Sequence, residues 1–293
     1  VEGMDERLPY SAVSKLETDS ELSATDIHYE YPRIQKFLQQ YTAKPGCRFV
    51  VGFNGPEGSG KRSLAGMLCR DLGKILLQVD ARLLSATSIP FEDVLAVLLR
   101  ECVLCEGAIC IDNAEEILLD PSKNRILSGY LSDKIRIIPE LIFLITEKSA
   151  SFYSLVRCDS VFYGELAFPL PDEGKRKELW KKLANTTIGE FDADDCLALA
   201  SKFRFTPGQI LAAITAAQQS AIWRSSENGN VNTIDLYAAC RGVSNSQLAS
   251  LSRKIEPKYY WTDMVLPDDT IEGLHDFCSH AKYRSVVYGK WGF

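Results

Sequence analysis

Histidine is scarce in this 293-residue chain: three residues, His28, His275 and His280, dispersed along it. Cys278 and His280, two residues apart, are too small a set to hold a metal ion. The nine cysteines are odd in number and scattered, which excludes a regular disulfide framework and reads as reduced thiols of a cytoplasmic protein. Cys102 and Cys105 have no second pair beside them and read as small buried apolar residues. Long apolar runs are missing. The longest, such as 94–99 and 141–145, fall far short of the ~20 residues that cross a bilayer. An excess of positive charge is missing too: the net charge is −6, which disfavours a nucleic-acid binder. No low-complexity tract or short repeat is visible, and the polar, acidic start is no signal peptide. Val1 precedes Met4, which fits a fragment or a tag remnant.

What is present is an ordinary globular composition, 46% apolar and 25% charged, long enough for about two domains. Residues 1–27 are polar and weakly periodic and read as an extension or arm. A short helix is predicted over 34–41. From 48 to 171 short apolar runs (48–53, 74–79, 108–111, 141–145, 166–169) alternate with amphipathic stretches (61–72, 91–105, 124–135). That alternation predicts an α/β domain with a mostly parallel sheet covered on both faces. After Pro171 the pattern becomes all-helical, over 172–183, 193–203, 206–224 and 233–242. Asp192 and Thr206 stand at N-cap positions and Pro207 at a first helical position. From 244 the chain is less regular, with an aromatic patch at Tyr259, Tyr260 and Trp261.

The chemistry-bearing motif lies between the first predicted strand and the helix after it. Gly55, Pro56, Glu57, Gly58, Ser59, Gly60 and Lys61 have the Gly-x-x-x-x-Gly-Lys spacing. Such glycines let backbone N–H groups curl round an anion, and the helix N-terminus adds partial positive charge. Lys61 is placed to reach a nucleotide's phosphates. Arg62 stands where the motif ordinarily has the Mg²⁺-binding Ser or Thr, and Ser63 comes one residue late, about 100° round the helix. Two roles for Arg62 remain open: offsetting phosphate charge, or pointing to solvent. The apolar run 108–111 ends in Asp112, in place to hold Mg²⁺ through water. Asn113 follows, and an amide cannot take a proton from an attacking water.

Phosphate loop, Asp112 strand end, five strands and a following helical unit together resemble an AAA+ ATPase module. Glu165–Asp172 followed by Arg176 and Trp180 is similar to the family's fifth strand and first lid helix, and 202–210 resembles a lid segment. The resemblance covers roughly residues 30–243 and divides the chain into an extension (1–27), a nucleotide-binding α/β domain (28–171), a helical lid (172–243) and a linker (244–293). It implies a P-loop NTPase sheet of five parallel strands in the order 5-1-4-3-2, with ATP or ADP between domain and lid. Trp261, Asp263 and Pro267, then Trp291 and Phe293, resemble the lead into a second AAA domain, as if this were the first, degenerate module of a bacterial-type tandem protein.

Carried over position by position, the resemblance puts the phosphate-loop roles on Gly55, Gly60 and Lys61, and the Mg²⁺-side acid on Asp112. The catalytic-glutamate position falls on Asn113. The polar sensor falls on Glu147, with Thr146 beside it, and a neighbour-facing arginine finger on Arg157. The nucleotide-approaching lid glycine is Gly208, followed by Gln209. Arg62, Asn113 and Glu147 depart from the catalytic pattern without removing the anion cradle. The expectation is therefore a module that binds ATP or ADP with weak or absent hydrolysis. It would serve assembly of a ring, a hexamer by the family's habit, and coupling to the second AAA domain, with an unknown protein substrate, no nucleic acid and no membrane. The alternatives are an active Mg²⁺-dependent ATPase using unconventional residues and a nucleotide-free scaffold of the ring.

Overall fold

Residues alternating along each central strand part into two apolar sets, and each set is covered by its own helices. In the computed structural model, residues 13–15, 22–42, 48–85, 89–132, 139–147, 161–189, 192–224, 230–248 and 261–285 are described. The chain divides into two units. The first is Val1–Pro171 with Phe205–Gly208, the second Asp172–Arg204 with Gln209–Phe293.

The first unit runs β1 (Val13–Lys15), α1 (Ala24–Ile27), α2 (Tyr31–Thr42), β2 (Arg48–Asn54), α3 (Lys61–Asp71), β3 (Leu76–Asp80), α4 (Ala81–Ser85) and α5 (Phe91–Leu104). It continues with β4 (Ala108–Asp112), α6 (Glu115–Leu118), α7 (Pro121–Ser132), β5 (Leu141–Thr146) and β6 (Val161–Ala167). The sheet order is β1-β3-β4-β5-β2-β6. Strands β2 to β6 are mutually parallel. Numbered among themselves in chain order, these five read 2-3-4-1-5 from one edge and 5-1-4-3-2 from the other. The α/β class and the parallel five-stranded core stand as the alternation predicts.

The sheet also carries a strand the sequence pattern does not show. β1 pairs antiparallel with β3, Val13 opposite Val79. Three residues are too few to display a period-two signal. The last parallel strand begins at Val161, five residues before the predicted start at 166. Its two buried residues, Val161 and Leu166, lie on opposite faces of the sheet, and Phe162, Gly164 and Glu165 between them are exposed, so the strand shows neither a continuous apolar run nor an alternation.

On one face Val50, Leu77, Val79, Ile109, Ile111, Ile142 and Leu144 pack with α5 to α7. On the other Phe49, Val51, Phe53, Cys110, Phe143 and Ile145 pack with α2 and α3. Strands buried on both faces read as continuous apolar runs, which is the signature of β4 and β5. Tyr31 on α2 donates its hydroxyl to Asp71 at the end of α3, and Gln35 joins it at 2.5 Å. Burial first, and then the Asp71 carboxylate, push the Tyr31 phenol up.

The second unit holds α8 (Glu173–Thr187), α9 (Ala193–Lys202), most of α10 (Pro207–Arg224), α11 (Thr233–Leu248), a 3-10 turn at Trp261–Asp263 and α12 (Asp268–Ser285). Asp172 caps α8, accepting from the Lys175 N–H at 2.7 Å. Asp192 caps α9 without a side-chain bond. Leu179, Trp180, Leu199, Ile214, Leu236 and Cys240 are buried. Arg176, also buried, donates from Nε to the Ala200 carbonyl at 2.9 Å, tying α8 to α9. Helix α12 lies in the stretch that reads as irregular by pattern. Its side chains are largely exposed, so it carries little apolar periodicity. Trp261 stacks on His275 with ring centroids 4.2 Å apart. Among the described residues no helix is long and apolar enough to cross a membrane.

Candidate functional site

The parallel strands end on one edge of the sheet, and the chemistry-bearing residues sit at those ends. In open α/β sheets this carboxyl edge is where ligands bind. Asn54 closes β2 opposite Thr146, which closes β5. Asp112 closes β4 opposite Asp80, which closes β3. The loop from Gly55 to Gly60 leaves β2 and enters α3. It is pinned at its start by the Gly55 N–H donating to the Thr146 carbonyl at 3.1 Å.

Local backbone rules shape the loop. Gly60 is the N-cap of α3 with φ +91°, a conformation that side chains with a Cβ rarely adopt. A Cβ there would also lie 2.6 Å from Cγ2 of Ile27 on α1. The turn is therefore closed from outside by a helix that the first predicted strand and its loop do not include. The first turn of α3 leaves N–H groups without intrahelical acceptors, facing the hollow of the loop. Pro56 and Gly58 line the loop half-buried, and Glu57 is exposed.

Lys61 is buried, with 6% of its surface accessible. Its Nζ donates to the loop's own carbonyls, at Gly55 and, at 2.8 Å, at Pro56. Burial lowers its pKa most. The carboxylates of Glu147, Asp112 and Glu115 act against that, and Arg62 adds to it. Lys61 is thus the cation on which the acidic residues of the sheet edge converge. Glu115, two residues beyond Asn113 on α6, belongs among them. It is buried, and only a long 3.9 Å contact links its Oε1 to Arg82.

Arg62 resolves its two sequence readings in neither direction. Its side chain is half exposed, yet Nη1 lies 3.5 Å from Asp112 Oδ2. Ser63 is half-buried one position on. Asn113 sits at φ +53°, a left-handed position that asparagine tolerates. Its Nδ2 donates to Asp80 Oδ1 at 2.9 Å. β3 lies on the side of β4 away from β5 and β2, so this bond draws the Asn113 amide away from the 55–60 loop. Nothing in the sequence around Asn113 points to Asp80, 33 residues earlier.

Two buried hydroxyls, Ser59 Oγ in the loop and Thr146 Oγ1 at the end of β5, have no hydrogen-bond partner among the described residues, nor does Glu115 Oε2. An orphaned buried hydroxyl costs about 1–3 kcal/mol and calls for a ligand or water. Glu147, next to Thr146, is exposed. Gly208 is brought against the loop: its N–H donates to the Gly58 carbonyl at 2.8 Å. A Cβ on it would stand 2.9 Å from Gly58 Cα. Gln209 follows, half-buried, in the second unit. Arg157 lies outside the described residues.

His28 is not among the site residues the sequence points to. It is buried beside the site, its Nε2 3.1 Å from the Ala167 carbonyl and its ring 4.8 Å from that of Phe168. Among the described residues no cluster of histidine, cysteine and carboxylate could hold a metal ion. Cys102 is fully buried, and the Cys105 thiol donates to the Cys102 carbonyl at 3.4 Å. Comparison with protein-family models and with curated proteins finds no match to this chain.

Proposed function

We propose that this chain is a nucleotide-binding module of the AAA+ type. It takes ATP or ADP at the loop 55–61 and hydrolyses it slowly or not at all. The observation that carries the reading is the loop itself: a strand-to-helix turn with a left-handed Gly60, a helix N-terminus behind it, a buried Lys61 and an unpartnered Ser59 hydroxyl. An anion fits that combination, because the loop supplies donors that lack acceptors. The sheet's carboxyl edge and the approach of Gly208 to Gly58 support the same placement.

Weak hydrolysis follows from Asn113. No carboxylate stands at that position, its amide is held by Asp80, and loss of a general base typically costs ~10²–10⁴ in rate. A binding module without turnover suits assembly and coupling within a ring, with hydrolysis carried by a second ATPase domain. The remodelled partner would then be a protein, in the cytoplasm.

A second reading, a nucleotide-free scaffold, is favoured by one observation: Lys61 already satisfies itself on the Gly55 and Pro56 carbonyls. Calorimetric titration with ATP and ADP, beside Lys61→Ala, separates the two. Saturable binding lost in the variant supports the nucleotide module. Absence of heat for the wild-type chain, with and without Mg²⁺, sinks it in favour of the scaffold.

A further inference from the structure

We infer that the site takes its polyphosphate as the free anion, the Arg62 guanidinium standing where a P-loop ordinarily holds a divalent cation. The inference rests on the nucleotide reading above. A Mg²⁺ site at such a loop needs a hydroxyl directly after the lysine and an uncommitted acid at the strand end. Here the residue after Lys61 is an arginine, and its Nη1 lies 3.5 Å from Asp112 Oδ2. Ser63 is displaced by about 100° round α3. Asn113 is turned to Asp80. A divalent cation at this place would have to displace the guanidinium from Asp112 and then sit beside it. The residues present do not fit the ion.

The charge balance points the same way. Asp112, Glu115 and Glu147 all act on Lys61, so one lysine has little positive potential left for a polyphosphate. A second cation is needed, and Arg62 is the one the chain provides. Its guanidinium has five donors in a planar fork, so one edge can stay on Asp112 while another meets phosphate oxygens. Being half exposed, it can turn between them without unpacking the core. Mg²⁺ already bound to the nucleotide would cancel the charge that Arg62 engages and bring a like charge against it.

The test is calorimetric titration of the full chain with ATP in EDTA and again in excess Mg²⁺, for wild type, Arg62→Ser and Lys61→Ala. The expected result is wild-type affinity in EDTA at least equal to that in Mg²⁺. Arg62→Ser should weaken binding in EDTA by about tenfold or more, as for loss of a charge-assisted hydrogen bond, and bind better with Mg²⁺ than without. Wild-type binding that requires Mg²⁺ overturns the inference and leaves the nucleotide reading intact. So does an Arg62→Ser variant with unchanged affinity in EDTA. No binding by wild type in either buffer overturns the nucleotide reading, and this inference with it.

Discussion

At the scale of the residue, the sheet edge is a set of charges already paired with one another. Asn113 is held by Asp80, Arg62 reaches Asp112, and Lys61 folds onto its own loop. Restoring a glutamate at 113 therefore does not restore a general base. Asn113→Glu places a carboxylate against Asp80 at a left-handed position and loses the amide bond. It should cost about 1–3 kcal/mol in chemical denaturation and yield no turnover. Asp80→Asn in the same chain should recover part of that stability, and unchanged stability in the single variant would contradict the Asp80 contact. Lys61 gives a pH signature. Its folded pKa lies below its unfolded one, so near that range the unfolded chain binds more protons and stability rises with pH. Compared with Lys61→Met, wild type should gain stability as pH climbs from neutral toward the ordinary lysine value. A gap between the two proteins that stays flat across that window would refute the buried, charged lysine.

At the scale of the element, the decisive junction is β2, loop, α3. The strand is apolar and buried over its central residues, the loop needs a left-handed Gly60, and α3 buries Leu64, Ala65 and Leu68 against the sheet. Gly60→Ala meets two penalties, the φ of +91° and the Ile27 side chain. The expected loss is about 1–3 kcal/mol in thermal or denaturant unfolding. Adding Ile27→Ala should relieve the contact and leave the dihedral cost. Full rescue would mean the backbone is not strained. This junction is legible in the sequence, because glycine spacing and a change of hydrophobic period are local signals. The short β1 and the exposed α12 are not: one is three residues long, and the other lacks a buried face to print a period on the sequence.

At the scale of the whole molecule, the cysteines report which parts of each unit are closed. Cys69, Cys102, Cys110, Cys196 and Cys240 are buried, whereas Cys278 is exposed on α12. Burial pushes the thiols of Cys69 and Cys240 up to about 12, and those of Cys102 and Cys110 are raised as well. The thiolate is the reactive form, so these groups should alkylate slowly at neutral pH. Brief labelling with iodoacetamide followed by peptide mapping should find Cys278 modified and those five largely intact. In denaturant all of them should react at similar rates. Rapid native labelling of Cys110, at the centre of the sheet, would be incompatible with the core described above.

The sequence by itself determined the α/β class, the glycines of the 55–60 loop, the strand-end Asp112 and the run of helices that follows Pro171. Each is written in neighbouring residues: a spacing, a period, or an apolar run with its terminator. Only the tertiary structure decided which groups meet. Asp80 and Asn113 are 33 residues apart and are joined because β3 and β4 lie side by side in register. Gly208 reaches Gly58 across 150 positions of chain. Arg62 and Asp112 share one ion pair because two strand ends open on the same edge of the sheet. Local pattern sets what each segment can become, but the partner of a charged or polar side chain is chosen by strand order and register, which no single segment encodes.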